Sequence, residues 1–220
     1  GITQCANETQ NNLSCPQADF PSQDAETGRD AQTDLTKVGG GAAGFDFTKL
    51  DASGNPLLAS TPAGGCVRDN VTELIWEIKT DDNGLRDKDW SYTWYNSDPA
   101  TNGGGTGSLG SDTCGGTLPS NQCNTQSYAA AVNALSPALC GYTDWRMPTV
   151  EELHSIVDHS RWSPAIDAAY FPLTPPHYYW SALPNASYAG SAWIVEFGYG
   201  HDGTADKGNG YAVRLVRGGQ

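Results

Sequence analysis

The sequence predicts an α+β fold: short twisted antiparallel strands and two helices, joined by long irregular loops and stapled by disulfides. Three observations carry that prediction. First, the 220 residues include 26 Gly, 7 Trp and 10 Tyr but one Met and only 17 % charged residues, a composition of turns and aromatic packing rather than of a helical bundle. Second, six cysteines form an even set, Cys5, Cys15, Cys66, Cys114, Cys123 and Cys140, without the tight pairs that mark zinc ribbons or redox motifs. Disulfides formed in an oxidising compartment follow. Third, only two stretches carry helical periodicity, and several short aromatic or β-branched runs lie between turn signals.

Taken in order, residues 1–65 are a polar, turn-rich lead, broken at Gly39-Gly40-Gly41 and at 51–56, with Phe45 and Phe47 as its apolar insertion. An irregular lead or arm, packing on the core or on a neighbouring subunit and pinned by Cys5, Cys15 and Cys66, precedes a domain spanning 66–220. The first strong strand is Leu74–Ile78, followed by an acidic turn and the aromatic run Trp90–Tyr95; residues 97–122 form a long Gly/Ser loop. One helix is expected from about Thr125 to Leu135, capped by Asn124 or Thr125. The other opens on the capping box Thr149-Val150-Glu151-Glu152, with Val150, Leu153, Ile156 and Val157 on its apolar face and Glu151, His154 and Asp158 on its polar face. Strands return at Tyr178–Ser181, at 192–197, where Trp193, Val195 and Phe197 should share one face, and at Tyr211–Val216. Six cysteines allow 15 pairings; proximity suggests Cys5 with Cys15, and Cys140 with Cys123 or Cys114.

A formal net charge of −13 repels polyanions, which argues against nucleic acid and anionic lipid as partners. No apolar run is long enough to span a bilayer, and no charged-then-apolar leader opens the chain at Gly1, so it reads as a processed product, with export expected from the cysteines. The four histidines are scattered and no His-Glu-x-x-His or Gly-x-Ser-x-Gly motif occurs, so no catalytic residues are assigned and an enzyme is not expected. Asp81, Asp82, Asn83, Asp87 and Asp89 offer the hard oxygen ligands that calcium takes, although their spacing is not that of an EF-hand. Calcium is the one cofactor the sequence raises. The ligand-binding candidates are Trp180, Asn185, Tyr188, Tyr199, His201, Asp202, Asp206, Lys207 and Asn209, a mixture of aromatics, amides and charges in C-terminal loops suited to stacking on sugar rings or contacting a protein.

A chain of separated motifs in fixed order adds a family. Cys66-Val-Arg-Asp-Asn-Val-Thr with Leu74-Ile75-Trp76-Glu77 is followed by Cys140-Gly-Tyr-Thr-Asp144-Trp145-Arg146-Met147-Pro148-Thr149, by Ile166-Asp167 with Tyr170-Phe171-Pro172, by Tyr179-Trp180-Ser181 and Ala192-Trp193, and by Val213-Arg214-Leu215-Val216-Arg217. Over about residues 66 to 217 this resembles the Lcl C-terminal domain family, named for the C-terminal domain of a bacterial collagen-like adhesin. The resemblance implies a C-type-lectin-like fold displayed on bacterial surfaces and associated with adhesion and glycan binding. By its own residues Trp145–Thr149 reads as a framework motif: a buried tryptophan, an arginine bonded to carbonyls or a carboxylate, and a Pro-Thr helix start. Glu73 departs from the pattern, standing where the family usually has glycine at a turn. The paired sugar-and-calcium signatures of C-type lectins are absent. The expected function is therefore a cell-surface adhesin or receptor domain binding a glycan or glycoprotein through the 178–210 loops. The alternative is a subunit of an extracellular filament or pilus-associated assembly, self-assembling through its long lead.

Overall fold

A computed structural model describes residues 2–218; Gly1, Gly219 and Gln220, at the ends of the lead and of the domain read from sequence, lie outside the described residues. The order of elements is α1 (Asp24–Thr27), β1 (Phe47–Leu50), β2 (Cys66–Asp69), β3 (Ile75–Glu77), α2 (Thr125–Asn133), α3 (Val150–His154), β4 (Tyr178–Pro184), β5 (Ser191–Glu196), β6 (Asp202–Asp206) and β7 (Val216–Arg217). A four-stranded antiparallel sheet runs β1-β2-β3-β7 and a three-stranded one β4-β5-β6. The α+β class with few helices, antiparallel sheets and disulfides is what the sequence predicts.

β3, most of β5 and the middle of β4 are buried on both faces, which explains why these strands read as nearly continuous apolar runs, whereas β6 is largely exposed. Because side chains alternate along a strand, Cys66, Ile75 and Leu215 enter one core with Tyr92, Trp94, Tyr128 and Trp145. Their neighbours Val67, Trp76 and Val216 enter the other with Leu153, Ile156, Phe171 and Phe197. The second sheet divides likewise, Trp180 and Ile194 going to the first core and Tyr179 and Val195 to the second. Glu196, on the face opposite Trp193, Val195 and Phe197 in the alternation, is buried with Ile194.

The helices start where the capping signals lie. Asn124 accepts a hydrogen bond from the Ser127 N–H (2.9 Å) at the head of α2. At α3 the Thr149 hydroxyl accepts from the Glu152 N–H while the Glu152 carboxylate accepts from the Thr149 N–H. α3 ends after little more than one turn, so Asp158 does not lie on its polar face: it is buried and bonded to Ser160 and Arg161, and His154 pairs with Asp202 instead (3.4 Å). The aromatic run at 90–95 and residues 211–215 make isolated bridges rather than strands, Tyr92 to Tyr211 among them. Glu73, where glycine was expected, takes φ +62°: the left-handed turn survives with a side chain that pays backbone strain there.

The disulfides are Cys5–Cys15, Cys66–Cys140 and Cys114–Cys123. Cys140 therefore joins neither Cys114 nor Cys123, and Cys66 does not pin the lead. Sequence proximity misses this because Cys66 on β2 and Cys140 in a one-turn 3-10 helix meet only after the first core assembles. The lead is held otherwise. β1 adds to the sheet beside β2, Asp46 accepts from the N–H groups of Val38 and Gly39, and the Lys49 ammonium caps the carbonyls of Ala59 and Thr61.

One polar network lies in the interior. The Glu77 carboxylate, wholly buried, accepts from the Tyr128 hydroxyl, from the Leu215 N–H (3.0 Å) and from Lys79 (3.4 Å). Lys79 also donates to the Tyr128 hydroxyl (2.8 Å), and Arg214 donates to the Glu77 carbonyl and to Thr174. A buried carboxylate with the Lys79 ammonium beside it and its oxygens bonded is tolerable; the same charge unpaired would not be.

Candidate functional site

The nine ligand-binding candidates do not form one patch. Two are framework. Trp180 is fully buried and donates its indole N–H to the Tyr92 carbonyl (2.8 Å). Lys207 is buried with its ammonium 4.1 Å from the Trp94 ring centre, donating to the carbonyls of Asn102 and Gly105. Neither can meet a ligand without opening the core, because a buried ammonium stripped of these acceptors would stand uncompensated. The rest separate along β5. Asn185, Tyr188, Asp206 and Asn209 lie at the end where Ser191 pairs with Asp206, and Tyr199, His201 and Asp202 at the end where Val195 pairs with Asp202. Six strand residues put about 16 Å between the ends.

At the first end the side chains serve local turns. The Asn185 carboxamide oxygen accepts from the Ser187 N–H, Asp206 accepts from the Gly208 N–H, and Asn209 donates to the Tyr211 hydroxyl. Tyr188 is exposed on the β4–β5 turn.

The second end is built more firmly. Glu196 accepts from the N–H groups of Gly198 (2.7 Å) and Tyr199 (2.8 Å), and the Glu196 N–H donates to the His201 carbonyl, so one buried carboxylate organises the turn that carries Tyr199. Gly200 at φ +82° brings that turn against Val157 and His159, where a Cβ would meet Val157 at 2.5 Å. The neighbouring loop is zipped to it by hydrogen bonds from Ser163 N–H to Gly198 O and from Ala165 N–H to Phe197 O, both 2.7 Å. Trp162 rides on this loop. The consequence is a pair of large aromatics, Trp162 at 74 % and Tyr199 at 73 % exposure, on braced backbone.

Trp162 and Tyr199 border a cleft of about 700 Å³, whose far wall is the lead: Ile2, Gln4, Asn11 and Asn12 among others. That wall is a hairpin closed by Cys5–Cys15 and by paired hydrogen bonds between Cys5 and Leu13. Gln23 braces it, accepting from the Ala6 N–H and donating to the Ala6 carbonyl. Desolvation, reinforced by the nearby His154, holds the pKa of His159 in the cleft below the ordinary imidazole value. A Trp in a polar Ser-Arg-Trp-Ser-Pro context was a visible signal for this site, which the sequence reading passed over; that the lead forms the opposite wall had none.

The acidic stretch does converge, with carboxylate oxygens of Asp81, Asp87 and Asp89 within 4.8 Å of one another. Its needs are met internally. Asp87 is buried and accepts from the N–H groups of Asp82, Asn83 and Asp89; Lys88 bridges Asp81 (3.3 Å) and Asp89 (2.8 Å). An ammonium already neutralises the oxygens that calcium would have to take, and this donor set does not fit the ion unless Lys88 leaves. The other grouping, Asp112 with Cys114 and Cys123, cannot act through thiolates because its sulfurs form a disulfide.

The framework motif behaves as its residues suggest. Trp145 is buried, and the Arg146 guanidinium grips both oxygens of Glu152 (2.6 and 2.8 Å) and donates to the Gly218 carbonyl (2.9 Å). That clamp ties the start of α3 to the end of β7. No helix among the described residues is long and apolar enough to cross a membrane.

Neither a curated protein nor a solved structure matches the chain. Residues 65–217 match the Lcl C-terminal domain, a span that begins just before Cys66 on β2 and ends with β7. With its three disulfides, such a domain is consistent with an extracellular or surface-associated, adhesin-related protein. This chain belongs to the Lcl C-terminal domain family.

Proposed function

We propose that this chain is the ligand-recognising domain of a bacterial surface adhesin or receptor, with a C-type-lectin-like ancestry, and that it binds a glycan or glycoprotein rather than catalysing a reaction. The observation that carries the reading is the exposed pair Trp162 and Tyr199 at the rim of a cleft. Scattered apolar residues on a surface need no explanation, but two large aromatics held on hydrogen-bonded loops around a polar concavity have the composition of a recognition site. Flat rings offer a wide contact at little entropic cost, since each side chain has only two torsions to fix. Of the C-terminal loop candidates, Tyr199 lines this cleft.

The filament alternative relies on a lead free to leave its own domain. Here β1 is a strand of the domain's own sheet, and Arg29, Asp30 and Asp46 bond the lead internally, which supports the recognition reading instead. The test is a glycan array probed with the intact oxidised chain, alongside Trp162→Ala and Tyr199→Ala. Saturable binding lost in both variants, with unchanged thermal stability, is the expected result. Binding that survives both substitutions would place recognition elsewhere.

A further inference from the structure

The chemistry of the cleft narrows what it can hold, and part of the cleft lies outside the family domain. Among the described residues its lining contains no Asp or Glu, in a chain whose net charge is −13. The permanent cation among the described lining residues, Arg161, is paired with Asp158 at 2.9 Å and lies 3.9 Å from Asp167. His159 is biased toward the neutral form by desolvation. What remains in the lining are two exposed aromatic rings together with hydroxyl and carboxamide groups, among them Gln4, Asn11 and Asn12.

We infer that this cleft binds an uncharged pyranose without calcium, and that the disulfide-closed lead hairpin, which precedes the family domain, supplies its selectivity wall. This deepens the glycan reading proposed above and rests on it. Each part of the claim has its own physical ground. Sugar C–H faces stack on aromatic rings, whose negative faces attract polarised C–H groups. Carboxamides donate and accept at once, as sugar hydroxyls do. A sulfated or carboxylated sugar would need an uncompensated cation, which the lining lacks, and a bridging calcium would need carboxylate oxygens, which it also lacks. The hairpin is positioned to select because its residues 2–6, 11 and 12 line the same cleft as Trp162 and Tyr199, whereas the family match starts at residue 65.

The experiment uses the intact oxidised chain on an array of neutral, sialylated and sulfated oligosaccharides, with EDTA and with calcium. It is repeated with Gln4→Ala/Asn11→Ala, with Trp162→Ala, and with Asn185→Ala as a control at the opposite end of the sheet. The expected result is binding confined to neutral glycans, equal in EDTA and calcium. Affinity should fall at least tenfold, or the rank order of glycans change, in Gln4→Ala/Asn11→Ala, with no change in Asn185→Ala. Gln4 and Asn11 are exposed, so melting temperature should stay constant and exclude misfolding. Preference for sulfated or sialylated glycans, or loss of binding in EDTA, would overturn the inferred ligand class. Binding lost in Trp162→Ala but unaltered in affinity and ranking by Gln4→Ala/Asn11→Ala would overturn the role of the lead while leaving the glycan reading intact. Silence of the wild-type chain on every array would overturn both.

Discussion

Removing the Cys66–Cys140 bridge should cost more stability than removing either of the others, and the structure gives the margin. The bridge spans 74 residues, whereas Cys114–Cys123 spans 9. In the chain-entropy account a cross-link stabilises by withdrawing freedom from the unfolded chain, worth about 4.4 kcal/mol for the longer loop and about 2.6 for the shorter. All four sulfurs are buried, so replacing either pair by alanine adds a similar void, on the order of 1 kcal/mol or less, which cancels in the comparison. The predicted difference is thus about 1.8 kcal/mol from loop closure alone. Equilibrium urea unfolding of oxidised Cys66→Ala/Cys140→Ala and Cys114→Ala/Cys123→Ala, monitored by tryptophan fluorescence, measures it directly. Equal losses in the two variants, or a larger loss in the second, would refute the argument by showing that local packing rather than loop length sets each bridge's worth. Such a loss is large against the stability typical of a domain, about 5–15 kcal/mol, so the first variant should also be the poorer folder.

Four further outcomes follow from particular residues. Burial pushes the Lys79 ammonium down to about 8 from its ordinary 10.5, despite the opposing pull of Glu77. Between those values the unfolded chain binds the extra proton, so stability should rise as pH climbs from 8 toward 10. Lys79→Met should flatten that rise in pH-dependent unfolding, and a wild-type curve that falls across the window would contradict the assignment. Glu152 keeps a lowered pKa because bonds from Arg146 and the Thr149 N–H outweigh its desolvation. That contribution should be lost as pH drops through the acid range, and Arg146→Met should shift the acid-unfolding midpoint upward; an unmoved midpoint would discount the clamp. Glu73→Gly should stabilise by up to about 1 kcal/mol by relieving a left-handed conformation at φ +62°, with chemical denaturation as the check; a loss would mean that the Glu73 side chain contributes more than its strain costs. Lys207→Met should lower the melting temperature by several degrees while sparing the cleft at the other end of β5, because it removes the donor that holds the Asn102 and Gly105 carbonyls; an unchanged melting temperature would discount the strut.

What the sequence by itself determined were the features written in neighbouring residues. The α2 start at Asn124 and the capping box at Thr149 depend on groups three positions apart; the apolar runs at 75–77, 178–181 and 192–196 are legible because both faces of those strands are buried. Cys5 and Cys15 pair across ten residues, close enough to guess. The family, too, was legible, since its motifs keep a fixed order along the chain. The tertiary structure alone decided whatever joins distant segments. β1 and β2 carry mixed polar and apolar residues, and become strands by pairing with each other in the register Phe47 to Asp69 through Leu50 to Cys66. Trp180 and Lys207 look like ligand residues in a loop-rich sequence, yet packing turned them into core and strut. Conversely, Trp162 and the hairpin at 2–12 had no shared pattern, and only the hydrogen bonds linking 163–165 to 197–198 and the folding-back of the lead set them across one cleft. Periodicity and capping are local and leave marks in local sequence; a cleft assembled from three remote segments exists only once the chain has closed on itself.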